Sequence, residues 1–326
     1  MRIPSTPQAL HLGRLLLSVS ACLPALAQNY TVETFHLPDP KDNGTYALGI
    51  NDNGDAVGYF QYGIGGQVYV RGFERHADGT LEYPLNDPDS PNGYFTMPTG
   101  INDSGLICGW YESSTAVNGF FLNQGVYQTI VEFGSPTTWI QGINSAGDFV
   151  GGTGPTTPPV NGFMSVGGTA TPFNVPGATE TLINGLADDG TVVGTAVISQ
   201  QHVGFIRGAN GKVRIFHVPK GVRGTFAAGI NLTAGLIVGY YLDASFLAHG
   251  FVYRYRTGTS AERPGEAGSN APTLEAIDTV TVDASPHGFT YVRGVNASGV
   301  LVGTFQKYLS SGHDGLPIGF IATPLK

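Results

Sequence analysis

Ten residues, Gly49-Ile50-Asn51-Asp52-Asn53-Gly54-Asp55-Ala56-Val57-Gly58, return in loosened form at 100–109, 142–151, 185–194, 229–239 and 294–303. Each copy runs glycine, an aliphatic residue, usually asparagine, a short polar turn, glycine, and an apolar stretch closed by glycine. A Gly-Phe pair follows every copy, at Phe73, Phe120, Phe163, Phe205, Phe251 and Phe320. A threonine stands four residues before each leading glycine, at Thr45, Thr96, Thr138, Thr181, Thr225 and Thr290. A chain built from short repeats must stack or ring them, because no single unit of that size buries its own apolar face.

Within a unit the pattern resolves into four short strands. The first ends in Gly-Ile-Asn, as in Thr138-Trp139-Ile140-Gln141-Gly142-Ile143-Asn144. A tight turn such as Ser145-Ala146-Gly147 follows, and its glycine supplies the positive φ that such a hairpin requires. Phe149-Val150-Gly151 pairs back on the first strand, Gly162-Phe163-Met164 makes the third, and 171–176 the fourth. Four antiparallel strands per unit is the blade of a β-propeller, so the expected fold is all-β: a six-bladed propeller of four-stranded blades. The 48 glycines and 21 prolines exclude a helical protein, and the 41% hydrophobic content excludes a disordered one. The last copy lacks a fourth strand, while residues 30–38 match the fourth strand at 212–219. The N-terminal strand is therefore expected to join the C-terminal blade and close the ring. The extra length before the sixth copy falls on 257–272, rich in Ser, Gly, Pro and Glu, which reads as a flexible surface insertion.

Residues 1–27 read as a cleaved signal peptide, with Arg2 and Arg14, an apolar run from Leu15 to Leu23, and Ala25-Leu26-Ala27 as the cleavage site. That leaves 28–326 as one secreted or periplasmic domain, expected to be a monomer. The alternative is lipoprotein anchoring through Cys22, since Val19-Ser20-Ala21-Cys22 looks like a lipobox. No later stretch is long enough to span a membrane. Losing two arginines and no acids takes the formal charge from −8 to −10. Such a charge argues against nucleic acid and anionic lipid, and fits glycans, cations or basic proteins as partners. Cys108 would remain as the one cysteine, where other copies place valine, so a buried bystander and no disulfide are expected.

The repeated G-I-N-x-x-G-x-I-V-G followed by H-G-F resembles the HAF family of extracellular repeats, most closely at His249-Gly250-Phe251. Arg71, Asn118, Asn161, Val203 or Ile318 takes the histidine's place in the other copies. The resemblance covers almost all of the chain after residue 27. It implies bacterial export without a settled activity.

Motifs that carry chemistry are few. Asp52, Asn53 and Asp55 alternate like calcium ligands, but the acidic residue that should end such a loop is absent. Other copies place Ser145-Ala146 or Thr233-Ala234 there, so turn chemistry is the reading, with no cofactor and no metal expected. Asn51, Asn102, Asn144, Asn231 and Asn296 are expected to bond local backbone. The histidines lack zinc spacing, and there is no nucleophile elbow, P-loop or Cys–His pair.

Function is then sought where the copies disagree. The loops from second to third and from fourth to first strands vary and open on one face. Two first-strand positions, three and one before the leading glycine, also vary: Tyr46/Leu48, Met97/Thr99, Trp139/Gln141, Leu182/Asn184, Phe226/Ala228 and Tyr291/Arg293. Arg293, Gln141 and Asn184, flanked by Trp139, Tyr291 and Tyr46, are the candidate ligand-binding residues at the channel mouth. A guanidinium fork suits a carboxylate and an aromatic face suits a sugar ring. The competing reading of the aromatic column is packing between blades. The expected function is a binding module for an extracellular carbohydrate or cell-surface component. The alternative is an enzyme, a glycan hydrolase or lyase or a metal-dependent lactonase. It would need acids clustered near the channel, for which Asp39, Asp42, Asp87, Asp89, Glu112, Asp243 and Asp283 are loop candidates. A structural envelope protein is the third reading.

Overall fold

Strand follows strand, with no α-helix among the described residues, which in this computed structural model are 30–39, 42–91, 95–155, 160–256, 273–280, 288–308 and 314–325. The expected signal peptide at 1–27 with Cys22, the insertion at 257–272, and Asp283 lie outside them. β1 (Tyr30–Phe35) precedes the repeats. The first copy supplies β2 (Asp42–Ile50), β3 (Ala56–Ile64), β4 (Gln67–Arg75) and β5 (Leu81–Leu85). The second supplies β6 (Thr96–Ile101), β7 (Ile107–Glu112), β8 (Val117–Asn123) and β9 (Val126–Ile130). The third gives β10 (Thr137–Ile143), β11 (Phe149–Gly154), β12 (Asn161–Val166) and β13 (Thr169–Phe173). The fourth gives β14 (Glu180–Leu186), β15 (Val192–Ile198), β16 (Gln201–Arg207) and β17 (Val213–Phe216). The fifth gives β18 (Gly224–Asn231), β19 (Leu236–Leu242), β20 (Ala248–Arg256) and β21 (Thr273–Val280). The last gives β22 (Phe289–Val295), β23 (Leu301–Tyr308) and β24 (Asp314–Pro324).

Hydrogen bonding gathers these strands into four four-stranded sheets and one eight-stranded sheet, an all-β, propeller-like arrangement. This differs from the separate four-stranded sheets expected for every copy. The cause is local: Thr137 of β10 lies parallel to Val117 of β8, and Val117 N–H donates to Pro136 O at 3.1 Å, fusing the second and third units. In the sheet of the last copy, β1 runs antiparallel to the outer side of β24, with Tyr30 opposite Pro324 and Phe35 opposite Gly319.

The recurring residues have identifiable tasks. All six threonines are buried. Five of them accept a backbone N–H from the chain leaving an outer strand: Leu37 to Thr45 (3.2 Å), Asp87 to Thr96 (3.0 Å), Glu132 to Thr138 (3.0 Å), Val175 to Thr181 (3.0 Å) and Val218 to Thr225 (3.0 Å). The six Gly-Phe rings are buried to 1% exposure or less. Rings such as Phe120, Phe205, Phe251 and Phe320 rest on the glycine that closes a repeat, where a Cβ would stand 2.7 or 2.8 Å away. The leading glycines serve a different approach, between units. A Cβ on Gly49 would lie 2.9 Å from Gly100 Cα, one on Gly229 2.9 Å from Arg293 O, and one on Gly294 3.1 Å from Leu48 O. First strands of successive copies can come this close only without side chains there.

The asparagines follow expectation and add to it. Asn102 Oδ1 accepts from the Ser104 and Leu106 amides of its own turn, and Asn51 Oδ1 from Asp55 N–H. Their amide groups also reach another copy: Asn51 Nδ2 donates to Asn102 O, Asn102 to Asn144 O, and Asn296 to Asn51 O, each at 3.2 Å. Cys108 is fully buried, and burial pushes its thiol up to about 12, as suits an inert core residue.

Two turn glycines give a test of backbone conformation alone. Gly54 has φ 93° and Gly190 φ 85°, and around Gly190 there is nothing within 4 Å of an added Cβ. Gly190→Ala is therefore expected to cost about 1 kcal/mol through its backbone only. Thermal melts should show it, and added calcium should restore nothing.

Candidate functional site

In every first strand the ladder slips by one residue just before the leading glycine. Ala47 faces Gly58 and Gly49 faces Val57, so Leu48 has no opposite number. The same slip isolates Thr99, Gln141, Asn184, Ala228 and Arg293. Such a bulge re-aims the side chain of its extra residue. All six of these residues line one central chamber of about 230 Å³. Ile50, Ile101, Ile143, Leu186, Ile230 and Val295 lie beneath them. These aliphatic residues also border a second chamber of about 270 Å³ on the side of the tight turns, so they form an apolar waist between the two.

The upper chamber has an uneven polarity. Among the described residues of its lining Arg293 is the one charged side chain, and none is a carboxylate. Its guanidinium lies 4.8 Å from the Tyr240 ring centroid and 5.4 Å from that of Tyr291, within cation–π range. Among the described residues neither Arg293 nor Gln141 has a hydrogen-bond or ion-pair partner. Asn184 and Thr99 are anchored instead: Asn184 Nδ2 donates to Ala227 O at 2.8 Å, and Thr99 Oγ1 to Ile140 O at 2.8 Å. That leaves the Asn184 carbonyl oxygen as an acceptor.

The expected site residues divide into two sets. Arg293, Gln141 and Asn184 come from three copies and share the chamber. Tyr46, Trp139 and Tyr291 do not line it. Tyr46 stacks on Tyr59 at 4.5 Å, and Tyr291 meets Tyr240 edge-on at 4.8 Å, so this part of the aromatic column packs against second strands. The lining aromatics are Tyr59 and Trp110, which the sequence reading passed over. Both follow the glycine that closes a repeat, Gly58 and Gly109, and Tyr240 follows Gly239 in the same way. Burial, and then the neighbouring Tyr46, push the Tyr59 phenol upward, against a smaller lowering by Arg293. Tyr59 therefore stays neutral at the chamber wall.

The loop acids do not converge here. Asp42 accepts from Gly44 N–H (2.7 Å) and Thr45 Oγ1 (2.9 Å), and Asp87 from Asp89 N–H (2.9 Å). Asp243 accepts from Ser245 and Leu247 N–H and pairs with His249 Nε2 at 2.9 Å. The Asp52-Asn53 alternation is likewise occupied between copies. Asp52 Oδ1 accepts from Ala297 N–H at 2.6 Å, and Asn53 Nδ2 donates to Asp103 O at 3.0 Å.

Fold and chamber together define the class, an all-β propeller-like protein with a central polar chamber. No helix among the described residues is long and apolar enough to cross a membrane. No family model and no curated protein matches the chain. Among solved structures the chain is similar to a streptogramin B lyase, at 12% identity over 90% of this chain and 97% of that one, with a TM-score of 0.47. A virginiamycin B lyase from Staphylococcus aureus shows 13% identity over 91% and 100%, with a TM-score of 0.44. The Aleuria aurantia lectin, solved with alpha-methyl-L-fucoside, shows 11% identity over 91% and 95%, with a TM-score of 0.44.

Proposed function

We propose that this chain is an exported binding module, a six-bladed propeller that takes a carbohydrate or other cell-surface component into its upper chamber. The observation that carries the reading is the unsatisfied polar set of Arg293 and Gln141, held on bulges beside Tyr59 and Trp110. Free donors converging from different copies on an open hollow are what a ligand supplies partners for. Arg293 would take a carboxylate or a pair of hydroxyls, with Gln141 and the Asn184 carbonyl completing the polar contacts. An enzyme of the glycosidase kind needs a pair of carboxylates about the reacting bond. Among the described residues the chamber lining has none, whereas the free donors of Arg293 and Gln141 face it, and these support binding.

Six blades are supported by counting the fused sheet as two units joined through the single Val117–Thr137 bridge. Ring closure is supported by the contact of Gly294 with Leu48 and by the bond from Leu37 to Thr45. That bond repeats what Val175 and Val218 do after their outer strands. The HAF-type repeat and the signal-like leader fit a bacterial protein working outside the cytoplasm as a monomer.

A glycan array probed with wild type, Arg293→Ala and Gln141→Ala tests the site. Each substitution is expected to weaken binding by about tenfold or more, the worth of one charge-assisted or buried hydrogen bond. Melting temperatures should stay within about 2 °C of wild type, since neither side chain supports the sheet. Full binding by both variants would move the site to the outer loops.

A further inference from the structure

Away from both chambers, three metal-capable side chains meet at the turn end of the first unit. Val57 of β3 faces Glu74 of β4, and Ala56 faces Arg75, so the same register sets Asp55 opposite His76. Glu74 and His76, two residues apart on an extended chain, fall on one side of it. His76 Nδ1 stands 3.7 Å from Asp55 Oδ1 and 3.6 Å from Glu74 Oε1, and the three donor atoms lie within 4.8 Å of one another. Ligands at about 2.0–2.1 Å around a tetrahedral zinc ion sit about 3.3 Å apart, so a small inward movement completes three corners.

Glu74 is out of place as a structural residue. The residue after the Gly-Phe pair is Phe121, Met164, Ile206, Val252 and Ile321 in the other copies, an apolar column that is largely buried. A carboxylate there breaks a local rule that the other copies keep. Glu74 also pairs across the sheet with Glu82, a like-charge pair that is unfavourable without a counter-ion. Its carboxylate has no hydrogen-bond donor among the described residues, only the His76 ring at ion-pair distance. Asp55, by contrast, is held in position: Ala77 N–H donates to Oδ1 at 3.1 Å and Asn51 Nδ2 to Oδ2 at 3.2 Å. Hydrogen bonds of this kind orient metal-binding carboxylates.

We propose that Asp55, Glu74 and His76 form a site for a divalent transition-metal ion of the zinc class, with water in the remaining position. One imidazole nitrogen and two carboxylate oxygens suit zinc or cobalt, whereas calcium takes six to eight oxygens. The ion ties the repeat's tight turn to the far end of its third strand, on the side of the sheet remote from the upper chamber.

The test is zinc titration by calorimetry on the untagged chain from residue 28, with cobalt absorption as a second readout. Wild type should bind one equivalent and show cobalt bands in the visible. His76→Ala should bind about tenfold more weakly or worse, since removing a ligand costs at least as much as removing its supporting contacts. Glu74→Met, which restores the residue type of the third copy, should lose the metal equally while melting no lower than metal-free wild type. That variant separates loss of a ligand from loss of the fold. Uptake of no zinc by wild type, uptake by either variant as tight as that of wild type, or displacement of zinc by equimolar calcium would each overturn the assignment.

Discussion

A chain lacking residues 28–38 is expected to fold poorly or aggregate. β1 lies along the outer side of β24, so its removal uncovers a long strand edge ready to pair with another chain. More than backbone pairing goes with it. The Phe35 ring rests over Gly319 and meets Phe73 edge-on at 5.8 Å, and Leu37 is only 3% exposed. Arg75, itself 7% exposed, is held by Glu33 at 2.6 Å and by the Phe35 face. Without β1 its guanidinium is left partly buried and unpaired, which costs more than the pair contributes. The combined loss is on the order of 5 kcal/mol, much of the stability of an ordinary domain. Size-exclusion chromatography and thermal melts check this. A deletion variant that elutes as a monomer and melts like the parent would show that the strand is dispensable.

How much of this was legible beforehand differs by feature. Strands and turns were open to sequence reading because glycine, asparagine and the Gly-Phe pair recur at fixed offsets, and each offset has a backbone cause. Arg293, Gln141 and Asn184 stood out because the copies disagree there, and the structure places all three around one chamber. The bulges that aim them inward were hidden, since a slip in register belongs to a pair of strands and no residue type announces it. Tyr59 and Trp110 stand one residue beyond the closing glycine, a position that the other copies fill with Gly152, Thr195, Tyr240 and Thr304, so no repeated residue type marks it. The fusion of two sheets through Val117 was equally invisible, because it turns on one carbonyl of a loop proline. Glu74 was legible as the one charged residue after a Gly-Phe pair, but its meeting with Asp55 and His76 depends on strand register.

Gly151→Ala is expected to be among the most damaging single substitutions in the chain. A Cβ there would stand 1.9 Å from Trp139 O and 2.9 Å from the Trp139 carbonyl carbon, both backbone atoms of the paired strand. No rotamer change relieves such a clash, so the hairpin of β10 and β11 must spread. A loss of about 3 kcal/mol or more is expected, or roughly 5 °C or more in melting temperature for a chain of this size. Gly190→Ala is the control, since it strains the backbone and meets no neighbouring atom. If the two variants melt alike, the close passage of strands at Gly151 is not what fixes glycine there.

The bulged residues carry a consequence for how such a protein can change. Leu48, Thr99, Gln141, Asn184, Ala228 and Arg293 each sit outside the ladder of their own sheet, so replacing one does not renegotiate strand register. At Leu48, Gln141, Ala228 and Arg293 the chamber wall can therefore change without touching the ladder, whereas Thr99 and Asn184 also bond the backbone of a neighbouring copy. Variation in the chamber wall is thereby uncoupled from variation in strand register, and the same uncoupling makes these positions the natural place to engineer a site.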